Sequence, residues 1–319
     1  MRCALFASAM GIGLAGQAGA AAAPPVVATI LPVHSLTAAV MDGVGEPELL
    51  LPPGTSPHAY SMKPSDAAAL EQAELVVWIG EELETFLVRG LDTLAGDAAR
   101  LALIDAPGVE VVHLADAGDG HDDHGHDAHD HGDHGHGEDA HGHDHGDVDP
   151  HIWLSPANAI AMTRALADAL AAIDPDHATT YAANAEATVS RIEELGDDLR
   201  AELAPVRDVP YVVFHDAYRY FEQAFGLENV GAVTLSPDQS PGTAHVAELR
   251  GAIRAADVAC VFAEPQFEPR LVETLVAGTP VRAGELDPVG AGLTPGPDAY
   301  LHLMRGLAAD LRDCLAPSG

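Results

Sequence analysis

Short apolar runs alternate with helical patterns along most of the chain, and one long helical segment divides this alternation in two. The runs cover residues 26–31, 48–51 and 75–79 in the first half, and 211–214, 230–234 and 258–263 in the second. Short runs of this kind between helices are typical of parallel sheets that are covered by helices. The sequence therefore predicts an α/β fold with two doubly wound, Rossmann-like lobes.

The dividing segment, residues 175–204, has the apolar spacing of one helix. At 1.5 Å per residue it would be about 45 Å long, which is long for a helix packed inside one α/β lobe. A helix that joins two lobes is one interpretation, and a kink near Gly196 is the other. We predict an N-terminal lobe at 24–174, a linking helix at 175–204 and a C-terminal lobe at 205–319.

Several polar side chains lie where this pattern places the ends of strands. His58 lies in a proline-rich segment after a strand, His215 ends an apolar run, and Asp287 follows a short strand. Ligands of doubly wound sheets bind beyond the carboxyl ends of strands, so these residues can converge in the cleft between the lobes. His151 lies between Pro150 and an apolar Ile-Trp pair, which would hold its ring against a hydrophobic wall.

Imidazole nitrogens suit Zn²⁺, and three of them leave a fourth position for water or a carboxylate. Asp287 is the best carboxylate candidate, and an ordinary Asp-Pro turn is the alternative interpretation of this residue. Glu264 could act as a general base near a metal, but a hydrogen-bonding structural role suits it better.

Residues 121–145 cannot contribute to a hydrophobic core, because they include no Val, Ile, Leu or aromatic residue. This stretch holds ten of the eighteen histidines, and its composition predicts metal binding. Flexible, glycine-spaced histidines cannot hold a fixed geometry without an ordering cost. We predict a disordered loop at 115–148 that collects metal at low affinity. Its candidate ligands are His121, His124, His126, His129, His131, His134, His136, His141, His143 and His145.

The N-terminus has the pattern of a secretory signal, with Arg2, a short apolar run and an alanine-rich segment that offers Ala-x-Ala cleavage sites. The apolar run is too short to span a bilayer. We predict that residues 1–23 are removed and that the mature protein is exported to the periplasm. Cys260 and Cys314 then remain, and two cysteines in an oxidising compartment favour one disulfide over two free thiols.

The chain has 49 acidic and 15 basic residues and a net charge of −34. This charge argues against nucleic-acid binding, which needs a basic surface. The sequence also lacks the His-Glu-x-x-His, Gly-x-Ser-x-Gly, P-loop and dinucleotide-binding motifs. The common enzyme classes are therefore poorly supported.

Four segments together resemble the zinc-binding periplasmic proteins of bacterial ABC importers, in the cluster A-I (cluster 9) metal-binding family. They are PHAYSMKPSD at 57–66, DPHIWLSP at 149–156, VFHDAY at 213–218, and VFAEPQF at 261–267 with LDP at 286–288. The resemblance implies two α/β lobes joined by one long helix, with the metal between them. It places the three histidine ligands at His58, His151 and His215.

The resemblance also bears on the choice of metal and on the fourth ligand. Manganese-binding relatives commonly have a carboxylate at the third position, so His215 favours zinc. Some zinc members have Glu directly before the first histidine, where this chain has Pro57. The fourth ligand therefore stays open between Asp287, water and a loop histidine. The disulfide of some zinc members corresponds to the two remaining cysteines.

Our hypothesis from the sequence is an exported, monomeric protein that captures Zn²⁺ and delivers it to the membrane subunit of an ABC permease. It performs no chemistry on a substrate. The alternatives are a periplasmic manganese-binding or zinc-buffering protein, and a zinc-dependent hydrolase that uses the same three histidines.

Overall fold

The computed structural model describes residues 22–114, 148–234 and 241–317. Almost all of the predicted signal peptide and every histidine of the predicted loop lie outside these ranges. Within them, each helix is too short or too polar to cross a membrane.

The first lobe is built on a parallel sheet of short strands, of which the two central ones are buried. Its strands are β1 (Val26–Ala28), β2 (Glu48–Leu49), β3 (Leu75–Trp78) and β4 (Ala99–Ala102). The strand order is β2-β1-β3-β4, and all three pairings are parallel. Its helices are α1 (Leu31–Val40), α2 (Pro64–Gln72), α3 (Val88–Leu94) and α4 (Pro156–Ile173).

The strands of this lobe end earlier than the predicted apolar runs 26–31, 48–51 and 75–79. The strand predicted at 26–31 ends at Ala28, and α1 begins at Leu31, because Pro32 is favourable in the first turn of a helix. The helix after β3 begins only at Val88. Turns precede it, and there the Glu84 carboxylate accepts hydrogen bonds from the backbone N–H groups of Ile79 and Gly80.

A small antiparallel pair, β5 (Val112–His113) with β6 (Val148–Asp149), lies at the two ends of the segment 115–147. The chain then passes through α4 into α5 (Ala178–Leu203), a helix of 26 residues that is about 39 Å long. This helix is continuous through Gly196, and one turn of 3-10 helix (Pro175–His177) precedes it. The linking helix predicted at 175–204 is therefore present, with its α-helical part starting at Ala178.

The second lobe repeats the first. Its strands are β7 (Tyr211–His215), β8 (Asn229–Thr234), β9 (Cys260–Ala263) and β10 (Arg282–Glu285), in the order β10-β9-β7-β8 with parallel pairings. Its helices are α6 (Arg219–Phe225), α7 (Thr243–Ala255), α8 (Arg270–Val276) and α9 (Ala299–Leu315). The predicted α/β fold of two lobes joined by a long helix is confirmed.

One apolar core joins the two lobes. It extends from the first sheet across α4 and α5 to α9 and to one face of the second sheet, and a smaller core covers the other face of that sheet. Helix α9 packs against α5, α1 and β10, so it contacts elements of both lobes. A disulfide between Cys260 and Cys314, with a Cα–Cα distance of 6.1 Å, fastens the end of α9 to the start of β9.

Candidate metal centre

The three histidines predicted as ligands meet between the lobes. The Nε2 atom of His151 lies 3.2 Å from that of His58 and 3.3 Å from that of His215, and the three ligand atoms lie within 4.8 Å of one another. A tetrahedral zinc ion with Zn–N bonds of about 2.0–2.1 Å needs nitrogens about 3.3–3.4 Å apart. The spacing therefore fits a single small ion.

His58 is supplied by the loop after β2. It is the central residue of a one-turn 3-10 helix, Pro57–Ala59, which is positioned by the buried Pro57. The ring is half-buried, and its Nε2 faces His151. Among the described residues no carboxylate is bonded to this ring, so His58 is oriented by its loop and by its neighbours alone.

His151 follows β6 and is fixed by Asp149. The Oδ1 atom of Asp149 accepts hydrogen bonds from the backbone N–H of His151 at 3.0 Å and from its ring Nδ1 at 2.7 Å. The imidazole packs against the Trp153 ring, with 5.3 Å between centroids. Both His151 and Asp149 are almost fully buried, so the pair forms a rigid unit.

His215 is the last residue of β7 and is fixed by Glu264, which directly follows β9. The Glu264 Oε1 atom accepts a hydrogen bond from His215 Nδ1 at 2.7 Å and another from the Tyr218 hydroxyl at 3.1 Å. His215 and Glu264 are buried, with exposed fractions of 4% and 2%. Glu264 therefore has the structural role expected for it: it holds the His215 ring so that Nε2 faces His151.

These contacts set the chemistry of the site. A neutral imidazole has one N–H donor and one acceptor nitrogen, and in His151 and His215 the donor is the Nδ1 that bonds to a carboxylate. Their Nε2 lone pairs then face each other at 3.3 Å. Burial, together with the neighbouring His151 and His215 rings, lowers the pKa of His58 to about 2, which favours its neutral form. Nitrogen lone pairs that converge in a buried site are suited to bind a cation.

Asp287 takes the alternative role considered for it. Its Oδ1 accepts hydrogen bonds from Gln266 Nε2 at 2.8 Å and from the backbone N–H groups of Val289 and Gly290 at 3.2 and 2.9 Å, and its Oδ2 accepts one from Ala291. The carboxylate is thus held in the turn after β10 and is not part of the three-histidine group. This geometry does not support Asp287 as the fourth ligand, because backbone donors surround its oxygens.

The other described histidines lie elsewhere. The rings of His34 and His245 contact the backbone carbonyls of Pro47 and Ala232, and the His177 ring bonds to Asp174. The contribution of Asp149 was not predicted, although its position two residues before His151 is a local signal. The support that Tyr218 gives to Glu264 depends on contacts between distant segments and had no such signal.

A small cavity of about 10 Å³ lies directly at the histidines. Its other lining residues are Ser56, Pro57, Trp153, Glu264, Gln266, Phe267, Pro288 and Val289. The indole Nε1 of Trp153 donates to the Pro288 carbonyl at 2.8 Å. This hydrogen bond joins the segment after β6 to the turn after β10. A cavity of this size holds about one water molecule.

Two parallel-sheet lobes, a long joining helix and three converging imidazoles define a two-lobed metal-binding protein. The chain belongs to the family described as the periplasmic component A of the zinc-uptake complex, whose model matches residues 26–314.

Relatives agree with this assignment, and solved structures share the fold. The chain is 44% identical to the high-affinity zinc uptake system protein ZnuA of Brucella suis, over 98% of this chain and 97% of the relative, and 41% identical to that of Paracoccus denitrificans, over 96% of each. It also has the fold of a zinc-bound ZnuA deletion mutant, with a TM-score of 0.75, 22% identity, and coverage of 93% of this chain and 100% of the other. The periplasmic zinc-binding protein TroA of Treponema pallidum also gives a TM-score of 0.75, with 21% identity, over 92% of this chain and 100% of the other.

Proposed function

We propose that this protein captures Zn²⁺ in the periplasm and delivers it to the membrane subunit of an ABC-type permease. The observation that carries the proposal is the set of three imidazoles, of which two are backed by buried carboxylates that leave their Nε2 atoms free to bind an ion. Carboxylate-histidine pairs of this kind fix the tautomer and the orientation of a metal ligand. The names of the relatives agree with zinc as the cargo.

The donor set favours zinc over manganese. His58, His151 and His215 offer only nitrogen, and the nearest carboxylates, those of Asp149 and Glu264, bond to imidazole Nδ1 atoms. Imidazole suits zinc, whereas manganese prefers oxygen ligands. The Nε2 spacing also fits the short bonds of a tetrahedral zinc site.

The cavity favours binding over catalysis. A hydrolase with this metal centre would need room for a substrate beside the ion, but the cavity at the histidines holds about one water molecule. Trp153, Phe267 and Pro288 form apolar parts of its wall. We therefore infer a carrier rather than an enzyme.

The remaining parts of the chain have roles in export and collection. Residues 1–23 act as a cleaved signal peptide, and the mature protein works as a monomer with lobes at 24–174 and 205–319 around the linking helix. Two lines support a collecting role for the histidines of 121–145: their composition, and the position of β6, which leads from the end of that segment through Asp149 to His151.

A competition titration tests the proposal. Mature protein and a variant that lacks residues 121–145 are titrated with Zn²⁺ against a chromophoric chelator. We expect one tight site in both proteins and additional weak sites only in the full-length form. The His151→Ala variant, which lacks one of the three proposed ligands, is the control in which the tight site should be lost. Loss of the tight site on loop deletion, or Mn²⁺ that outcompetes Zn²⁺, would contradict the assignment.

A turnover assay separates the carrier from the hydrolase. The zinc-loaded protein is incubated with ester, phosphate and peptide substrates, and we expect no hydrolysis above the rate of the His151→Ala variant. Hydrolysis that requires both zinc and His151 would favour the enzyme.

A further inference from the structure

The amide of Gln266 is oriented by Asp287. Its Nε2 donates to Asp287 Oδ1 at 2.8 Å, and a carboxylate can only accept, so the nitrogen of the amide must face Asp287. The carbonyl oxygen Oε1 then points away from Asp287. Gln266 lines the cavity at the histidines, whereas Asp287 does not.

Two buried oxygens at this cavity have no hydrogen-bond partner among the described residues. They are Gln266 Oε1 and the hydroxyl Oγ of Ser56, and both residues line the cavity together with the three histidines. Buried polar atoms are nearly always paired with protein or with ordered water. Two unpaired oxygens around a space for about one water molecule therefore indicate a water site next to the ion.

The charges around the site favour a neutral fourth ligand. Three neutral imidazoles add no charge, and the buried carboxylates of Asp149 and Glu264 lie directly behind two of them. These two negative charges offset the two positive charges of Zn²⁺. A third carboxylate as ligand would leave a net negative charge in a buried site, which is unfavourable.

We propose that the fourth ligand of the bound ion is a water molecule, held by Gln266 Oε1 and Ser56 Oγ, and that Asp287 orients Gln266 without touching the ion. A water bound to a cation is a strengthened donor, and the Gln266 oxygen is an acceptor, so their polarities match. Gln266 is thus a positioning residue. The inference rests on the proposed capture of Zn²⁺ by the three histidines.

Cobalt-substituted protein tests the water ligand. One equivalent of Co²⁺ is added to the full mature chain, and electron-nuclear double resonance is recorded in H₂O, in D₂O and in ¹⁷O-enriched water. We expect a four-coordinate site with three nitrogens, with a coupled proton that is lost in D₂O and an oxygen coupling from ¹⁷O-water. A fourth nitrogen, or a cobalt site with no solvent coupling, overturns the inference but leaves three-histidine capture intact. Absence of tight metal binding in the unmodified protein would instead overturn the proposed function.

The Gln266→Met variant tests the positioning residue, because Met has a similar length but lacks the acceptor oxygen. We expect zinc affinity to fall by about tenfold, the lower end for partners of metal-bound groups, and the solvent coupling to change. The matched control is Gln223→Met, at an exposed position on α6, which should keep both properties. Unchanged affinity and coupling in Gln266→Met would overturn its role.

Two further variants complete the test. Ser56→Ala should weaken zinc binding by less than Gln266→Met, and it covers the case in which the Met variant fails to fold.

Asp287→Asn should keep the ligand set of three nitrogens and one water. The amide oxygen of Asn can replace Oδ1, on which three of the four donors converge. If Asp287→Asn replaces or removes the oxygen ligand, Asp287 itself binds the ion and the inference is wrong.

Discussion

The two lobes have the same sheet topology but use it differently. When the strands of the second lobe are counted from β7, its order β10-β9-β7-β8 is the order β2-β1-β3-β4 of the first lobe, read from the opposite edge. In each lobe a buried glutamate that follows the third strand accepts a hydrogen bond from a side chain at the end of the first strand. Glu84 accepts from the Thr29 hydroxyl at 2.5 Å, and Glu264 accepts from His215 Nδ1 at 2.7 Å.

The difference lies in what the acid supports. In the second lobe Glu264 orients an imidazole that faces the metal site. In the first lobe Glu84 bonds to a hydroxyl and to backbone N–H groups. The loop after the second strand of that lobe supplies the proposed ligand His58, and the segment between β6 and α4 supplies His151. The two four-stranded sheets therefore give one proposed ligand, His215, that is held by a buried acid, and one, His58, that depends on a loop. We expect variants of the two lobes to differ accordingly.

The largest expected effect is from His215→Ala. It removes a ligand and also leaves the buried Glu264 carboxylate without its imidazole partner. Zinc affinity should fall by more than the roughly 100-fold limit that is typical for partners of ligands. His58→Ala is the matched variant in the first lobe. It should also lose tight binding, but with a smaller loss of thermal stability in the metal-free protein, because no buried carboxylate loses a partner. Equal losses of stability would break the comparison.

Glu264→Gln should have the next largest effect. The amide can still bond to His215, but it removes one of the two negative charges behind the imidazoles. We expect zinc affinity to fall by about 10- to 100-fold, measured by chelator competition. Glu84→Gln is the control in the first lobe and should change zinc affinity by less than about threefold. A comparable loss in both variants would show that the acids act on overall folding.

Glu84→Gln should instead change the pH dependence of stability. Complete burial raises the pKa of Glu84 to about 7, although bonds from Thr29, Gly80 and Ile79 oppose this shift. A raised acid pKa means that the unfolded chain ionises first, so stability is lost as the pH rises from about 4.5 and the loss is complete above about 7. The loss is on the order of 3 kcal/mol. Urea unfolding of the metal-free protein should show that Glu84→Gln lacks this loss, whereas the exposed control Glu71→Gln keeps it.

Tyr218→Phe should have the smallest effect. It removes the 3.1 Å hydrogen bond to Glu264 but leaves the His215 contact in place. We expect zinc affinity to fall by roughly three- to tenfold, which corresponds to the net contribution of one ordinary hydrogen bond, because Tyr218 acts on the ion only through Glu264 and His215. An effect larger than that of Glu264→Gln would mean that Tyr218 has a role beyond supporting the glutamate.

Local signals in the sequence predicted much of the fold and the ring positions of the site. Apolar runs predicted the strands, and the proline-rich segment before His58 and the strand before His215 placed these residues at strand ends. Asp287 was ambiguous, because an aspartate before proline suits both a ligand and a turn. Only the positions of the backbone N–H groups at 289–291 show which way its carboxylate faces.

The contacts between distant segments could not be predicted. The bond between Glu264 and His215 joins residues 49 positions apart, and the orientation of Gln266 depends on Asp287, 21 positions further along the chain. Sequence spacing predicts which residues end strands, but it does not predict how side chains from separate strands face each other. The similar roles of Glu84 and Glu264 were hidden for the same reason.

The apolar core that α5 and α9 share with both lobes has a consequence for recognition by a membrane partner. A wide swing of one lobe would expose this core to water, so we expect the metal-free and zinc-loaded forms to have nearly the same outline. The permease of the proposed function would then have to recognise a local difference and not the overall shape. We expect the presence of cargo to be recognised locally, through the two positive charges that zinc adds at the site and through the position of the loop that carries His58.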